Sequence, residues 1–283
     1  MRTITGLAKK ALGIHPQQGV NPLKNLTHIG SHFHGYHVPS NFLTSESICY
    51  CIGAGEDISF DTELKVIYDA QVFIFDPMPE GVNHFRKLKE FTKNQQPLTI
   101  EPTVPFTYRI SEKQVEEITF VEIGVWDQKT NLKFFAPERD DYASHSLYLF
   151  QESNDYIEAP VDRLSNLMNM LGHSSLDVVK LEIEGAEYTV IDTIVKDKLD
   201  IKIILVEFDE VHNANDKSFH FRIKKTCKKL KEAGYVLVHS THNLKRTFIR
   251  EDVYKSLKNQ ENLPVNFTIN KAADYSSAPI TSR

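Results

Sequence analysis

Between residues 47 and 250, short apolar runs alternate with longer segments whose apolar residues recur every three or four positions. The runs SICYCIG (47–53), AQVFIFD (70–76), ITFVEIGV (118–125), DVVKLEI (177–183), KIILVEF (202–208), YVLVHS (235–240) and RTFIRE (246–251) are rich in β-branched and aromatic residues and read as strands. Several are apolar almost throughout, as expected of strands covered by helices on both faces. Between them, ISFDTELKVIYD puts Leu64, Ile67 and Tyr68 on one helix face, with Asp57 as N-cap. VDRLSNLMNMLG repeats apolar residues at 161, 164, 167, 168 and 171 and stops at Gly172. AEYTVIDTIVKD follows the fourth strand directly. The segment 219–234 carries Phe219, Ile223, Cys227 and Leu230 on a buried stripe, and its Lys/Arg cluster reads as a solvated outer face.

This alternation predicts an α/β domain over 47–251, with helices on both faces of a mostly parallel seven-stranded sheet. Only THNLK joins the last two strands, too short for a helical crossover, so the last strand must return antiparallel. Residues 1–46 read as an extension or lid and 252–283 as a tail. With 41% hydrophobic and 25% charged residues, the 283-residue chain can bury a substantial core. Its net charge of −5 offers no general attraction to nucleic acid or an anionic membrane. No apolar run approaches the roughly 18–20 residues of a membrane span. The start, MRTITGLAKKALGI, lacks a signal peptide's apolar core and reads as a surface helix. Three cysteines, an odd and sparse set, point to a reducing, cytoplasmic setting. There the sequons at Asn25 and Asn266 carry no meaning, and Cys49 and Cys51 serve as small apolar residues on one strand face. Nothing in the sequence sets the oligomeric state.

The chemistry concentrates where the first strand ends, in CIGAGEDISFD (51–61). Gly53 and Gly55 let the backbone pass close beneath a nucleoside, and Asp76, closing the second strand, is placed to accept hydrogen bonds from ribose hydroxyls. NAD and S-adenosylmethionine both meet that description. A pyrophosphate favours a third glycine and a helix N-terminus free of acid. Here the third-glycine position is Ile58, and Glu56 and Asp57 sit where phosphates would lie. Such acids suit a sulfonium and an ammonium group, so the loop favours S-adenosylmethionine.

HGYHVPSNFLTSESICYCIGAGEDISFD, VFIFDPMP, VEIGVWD, SHSL, VVKLEIEGAEYTVI and ILVEFDEVH occur in the order and spacing of one known family. Over residues 34–250 the chain resembles the FkbM family of S-adenosylmethionine-dependent methyltransferases. The resemblance implies a class I methyltransferase (Rossmann-like) fold, an S-adenosylmethionine cofactor and methyl transfer to a hydroxyl oxygen of a sugar, glycan or related metabolite. It assigns Gly53, Ala54, Gly55, Glu56 and Asp57 to the cofactor loop, and Asp76, Pro77 and Met78 to the ribose turn. Ile123, Gly124 and Val125 would line the adenine, with Ser146 on the cofactor's other side. Two positions depart from the pattern. Cys51 stands where many methyltransferases have an acid, and Glu182 where the family usually has Asp.

A neutral hydroxyl needs a proton acceptor in the transition state. Glu182 is the leading candidate, with Lys180 on the same strand face as its partner and His212 or His145 as runner-up base. Glu207, Asp209, His145 and His34 are candidate substrate residues. Glu207, Asp209 and His212 with Glu182 could instead hold a divalent metal, a reading not favoured because the spacing is not diagnostic. HIGSHFHGYH, with His28, His32, His34 and His37, invites a zinc reading but reads better as a substrate-side lid. Glu184 and Glu187 read as helix caps. Two rivals remain open at this stage: a nicotinamide-dependent oxidoreductase, and a non-catalytic fold that binds a nucleoside or a partner.

Overall fold

A computed structural model of the chain describes residues 19–100, 104–135, 156–208, 218–241 and 245–261. In chain order the elements begin with β1 (Leu26–Ile29), β2 (Tyr36–Pro39), β3 (Ile48–Ile52), α1 (Ser59–Tyr68), β4 (Gln71–Phe75) and α2 (Pro79–Lys93). Next come β5 (Thr99–Ile100), β6 (Phe106–Thr107), α3 (Glu112–Glu116), β7 (Thr119–Val121), β8 (Gly124–Trp126), β9 (Thr130–Phe135) and β10 (Tyr156–Arg163). The chain continues through α4 (Leu164–Leu171), β11 (Ser175–Leu181), α5 (Glu187–Asp197) and β12 (Asp200–Glu207). It closes with α6 (Phe219–Glu232), β13 (Tyr235–Ser240), β14 (Lys245–Arg250) and α7 (Glu251–Glu261). No helix among the described residues is long and apolar enough to cross a membrane.

The main sheet has the order β13-β14-β12-β11-β3-β4-β7. Its five strands from β12 to β7 are parallel, and β14 runs antiparallel to both of its neighbours. Alternate residues of one strand feed opposite cores, because successive side chains leave a strand on opposite faces. Cys49, Cys51, Val178, Ile203 and Leu205 belong to one core, and Tyr50, Ile52, Val179, Leu181, Ile204 and Val206 to the other. The two cysteines are buried, free thiols within an apolar layer. From β3 the chain builds outward first to β4 and later to β11, so the crevice opens where β3 and β11 end.

Four local expectations need correction. ITFVEIGV is not one strand: Ile123 N–H donates to the Val121 carbonyl (2.8 Å), and this tight turn delivers Gly124–Trp126 to a separate sheet with β10 and β9. Val161 belongs to β10, opposite Gly124, and the helix begins only at Leu164. Ile67 is 51% exposed, because the buried stripe of α1 runs through Phe60, Asp61, Leu64 and Lys65. The α1 cap position is Ile58; Asp57 bonds the Ser59 amide (2.8 Å) from one residue earlier. Helix α2 had no counterpart in the sequence reading. Segments read as extensions carry elements too: the β1–β2 hairpin buries Ile29, Tyr36 and Val38, and α7 accepts the Lys24 amide through Glu261.

Candidate active site

Gly53 follows β3 with φ +90°, and a Cβ there would stand 1.9 Å from the Glu182 carbonyl oxygen. Only glycine fits so close to β11. The ladder continues to this lip, with Glu182 N–H donating to Ile52 (3.0 Å) and Gly53 N–H to Phe75 (2.9 Å). Beneath the turn lies Asp76, 6% exposed. One carboxylate oxygen accepts the Ala54 and Gly55 amides (2.8 and 3.1 Å), and the other the Met78 amide (2.8 Å). Burial pushes the Asp76 pKa up, and these amides offset part of the rise. Gly81 lets α2 approach, since a Cβ there would lie 2.7 Å from the Asp76 carboxylate. Asp76 therefore fixes both turns of the pocket wall.

These elements border an open cleft. Of the residues expected at the cofactor, Gly53, Gly55, Asp76, Pro77, Met78, Gly124 and Val125 line it. Ala54 is buried in the core instead, and Glu56 projects from the turn into solvent. Asp57 is turned away from the cleft, one oxygen taking the Ser59 amide and the other the Ser31 hydroxyl (2.7 Å). The acids at 56 and 57 are thus not the ones that face the ligand space. Asp76, Glu80, Glu182 and Glu184 are, and no Lys, Arg or His lines the cleft among the described residues. Glu184 holds φ +52°, uncommon for a residue with a side chain. Glu187 caps the same turn, accepting the Ile183 and Gly185 amides (both 2.8 Å). Ser146, His145, Asp209 and His212 lie outside the described residues.

Glu182 is the hub of a buried charge network. Lys180 Nζ lies 3.3 Å from its Oε2 and 3.1 Å from Asp61 Oδ2. Lys245 Nζ lies 2.6 Å from Glu182 Oε1 and 3.0 Å from Glu207 Oε2, over the Tyr36 ring at 4.4 Å. Burial alone would raise the Glu182 pKa, but Lys245 and then Lys180 outweigh it and hold the carboxyl well below the usual range. Burial first, then Glu182, pushes Glu207 up to about 10. The two carboxyls are thus coupled, Glu182 pushing Glu207 up while Lys245 opposes the rise. Lys180 is only 1% exposed, so it acts on Glu182 rather than on a ligand. Cys51, at the position of the missing acid, is fully buried, and burial first, then the neighbouring Asp61, pushes its thiol pKa up.

The four histidines of HIGSHFHGYH do not form one cluster. His37 stacks on His239 (3.8 Å between ring centres), His28 meets His37 edge-on (5.0 Å), and His32 meets Phe33 edge-on. His34 instead places Nδ1 3.5 Å from Glu182 Oε1. His34, Glu182 and Glu207 bring one nitrogen or oxygen each within 4.8 Å of one another, where Lys245 already supplies positive charge to both carboxylates. The sequence reading missed Asp61, Glu80 and Lys245. Asp61 left one trace, an acid three residues before Leu64 on the buried stripe of α1.

No curated protein matches the chain. Among solved structures, precorrin-6y C5,15-methyltransferase from Geobacter metallireducens GS-15 is 14% identical, covers 74% of this chain and 82% of its own, and superposes with a TM-score of 0.39. The fibrillarin pre-rRNA processing protein of Methanococcus jannaschii is 12% identical, with 74% and 68% coverage and a TM-score of 0.39. The human methyltransferase 10 domain containing protein is 8% identical, with 88% and 98% coverage and a TM-score of 0.36. The model of the methyltransferase FkbM domain matches residues 48–237, from the first residue of β3 into β13. The chain belongs to the FkbM methyltransferase domain family.

Proposed function

We propose that the protein is an S-adenosylmethionine-dependent O-methyltransferase acting on a hydroxyl of a sugar, glycan or related metabolite. The observation that carries the cofactor assignment is the cleft's lining: four carboxylates and no cationic side chain among the described residues. A pyrophosphate there would be repelled, whereas a sulfonium and an ammonium group would be attracted. The backbone fits as well, because no atom lies within 4 Å of where a Cβ on Gly55 would stand. Gly53 and Gly55 would lie under the nucleoside, Asp76 and Glu80 beside the ribose, Gly124 and Val125 against the adenine, and Glu182 and Glu184 on the charged end. Bound there, S-adenosylmethionine supplies an electrophilic methyl group and leaves as the neutral thioether, so transfer to a hydroxyl releases one proton.

The residues of this chain align the acceptor oxygen and take up that proton. Glu182 and Glu207, beside each other and held by Lys245, form the polar wall that a hydroxylated acceptor would meet. The β1–β2 hairpin, which brings His34 to Glu182, borders the acceptor side as a lid. The reading is metal-free, because Lys245 holds the ground between the carboxylates. Buried, unpaired thiols suit a reducing cytoplasmic setting. Incubation with S-adenosylmethionine and a panel of methyl glycosides tests the function. It should yield S-adenosylhomocysteine and a methyl ether in equal amounts, undiminished by EDTA. Methylation of no member of the panel would refute the carbohydrate assignment.

A further inference from the structure

The geometry points to His34 as the general base, with Glu182 as the anion that orients it; this rests on the O-methyl reading above. Glu182 itself is a poor proton acceptor, since an ammonium group sits on each of its oxygens, Lys245 on Oε1 and Lys180 on Oε2. The same clamp fixes the carboxylate's position, and His34 Nδ1 lies 3.5 Å from Oε1. With its proton on Nδ1 directed at Glu182, the ring keeps the Nε2 lone pair for chemistry. The His34 side chain is 49% exposed, against 16% for Glu182, so it can meet an acceptor and return a proton to solvent.

The loop that carries His34 is built to hold it. Ser31 is tied to α1 and to the cofactor turn at once, its amide donating to Ser59 Oγ (2.7 Å) and its hydroxyl to Asp57 (2.7 Å). The His34 amide then donates to Ser31 Oγ (3.1 Å), and the Gly35 amide to the Ser31 carbonyl (2.9 Å). Gly30 and Gly35 leave no room for a side chain, since a Cβ on the first would stand 2.8 Å from Gly35 Cα and one on the second 2.5 Å from the Ile29 carbonyl oxygen. Asp57, which the sequence placed at the cofactor, thus couples the cofactor turn to the histidine loop. Such second-layer support is what a positioned catalytic group requires.

In the reaction the acceptor O–H bond breaks as its oxygen gains the methyl carbon, and the proton passes to His34 Nε2. The charged groups around the ring are Glu182 and Asp57, which favour the imidazolium, and Lys245, which opposes it, with Glu207 nearby. Burial lowers the His34 pKa, but Glu182 and then Asp57 outweigh it and raise the value above 6.5. The wild-type rate should therefore rise with pH along a limb centred above 6.5.

Two measurements test the assignment. Nitrogen-correlated NMR of the imidazoles should show His34 protonated on Nδ1 when neutral, with a titration midpoint that falls in Glu182→Gln. With an acceptor found in the glycoside panel, His34→Gln should lower kcat about 100-fold, erase the pH limb and leave the S-adenosylmethionine Kd unchanged. Glu182→Gln should shift the limb to lower pH. The assignment is overturned if His34→Gln keeps both rate and limb, or if Glu182→Gln leaves the His34 midpoint in place. A wild-type protein that binds S-adenosylmethionine but methylates no hydroxyl sinks the O-methyl reading itself, and the base with it.

Discussion

Two glycines two residues apart do different work, and substitution separates them. At Gly53 an alanine would combine φ +90° with a clash against the Glu182 carbonyl, where neither backbone can give way without breaking the β3–β11 ladder. Strain and overpacking of this kind cost about 1–3 kcal/mol each, so Gly53→Ala should lose on the order of 4 kcal/mol in urea denaturation. Gly55, with φ +52° and open space around it, should lose only about 1 kcal/mol on the same change, but should weaken S-adenosylmethionine binding. Equal losses at the two positions would contradict the close approach of β11. Asp76→Ala strips an acceptor from the amides of Ala54, Gly55 and Met78. It should cost about 1–3 kcal/mol of stability and at least tenfold in cofactor affinity; calorimetry showing unchanged affinity would remove Asp76 from the site. Gly53 and Asp76 were legible because a strand end and its turn are local features. Glu56 and Asp57 misled because the sequence shows which acids follow the turn, not where their side chains go.

Elements are joined by the charge network, and here sequence legibility ends. Strand alternation placed Cys49 and Cys51 on one face, and the register Lys180↔Cys51 puts the lysine on that face as well. What no local pattern shows is that α1 brings Asp61 to Lys180 across 119 positions, or that β14 brings Lys245 to Glu182 across 63. Those pairings follow from strand order, which inserts β14 beside β12 and sets β11 against β3. The split of ITFVEIGV was hidden for a related reason, because both halves are β-prone and only pairing with β10 distinguishes them. Breaking one partner of a buried pair strands the other's charge, so Lys180→Met should destabilise by about 3–5 kcal/mol. Adding Asp61→Leu to that variant should recover most of the loss. Denaturation curves in which the double change is as damaging as the sum would show that the pair is not a unit.

For the whole molecule, histidines set the acid limit of stability. Burial lowers both His37 and His84 to about 4, helped at His37 by His239. The unfolded chain, titrating near 6.5, then binds more protons than the fold across roughly pH 4 to 6.5, so stability falls as pH drops through that window. For His84, only 9% exposed, the cost at pH 5 is on the order of 2 kcal/mol. His34 works in the other direction: its raised value contributes stability below 6.5 that is lost as pH climbs past the folded value. The loss of thermal midpoint between pH 7 and pH 5 should be smaller in His84→Gln than in the wild type, and equal losses would contradict the His84 placement. The proposed cofactor rests on the same charge pattern, Asp76, Glu80, Glu182 and Glu184 facing a cleft that no described cation lines. The most direct test of that claim is isothermal titration of the full chain with S-adenosylmethionine and, separately, with NAD. One saturable site for the sulfonium compound and no heat from the dinucleotide is the predicted result; saturable binding of NAD with none of S-adenosylmethionine would contradict it.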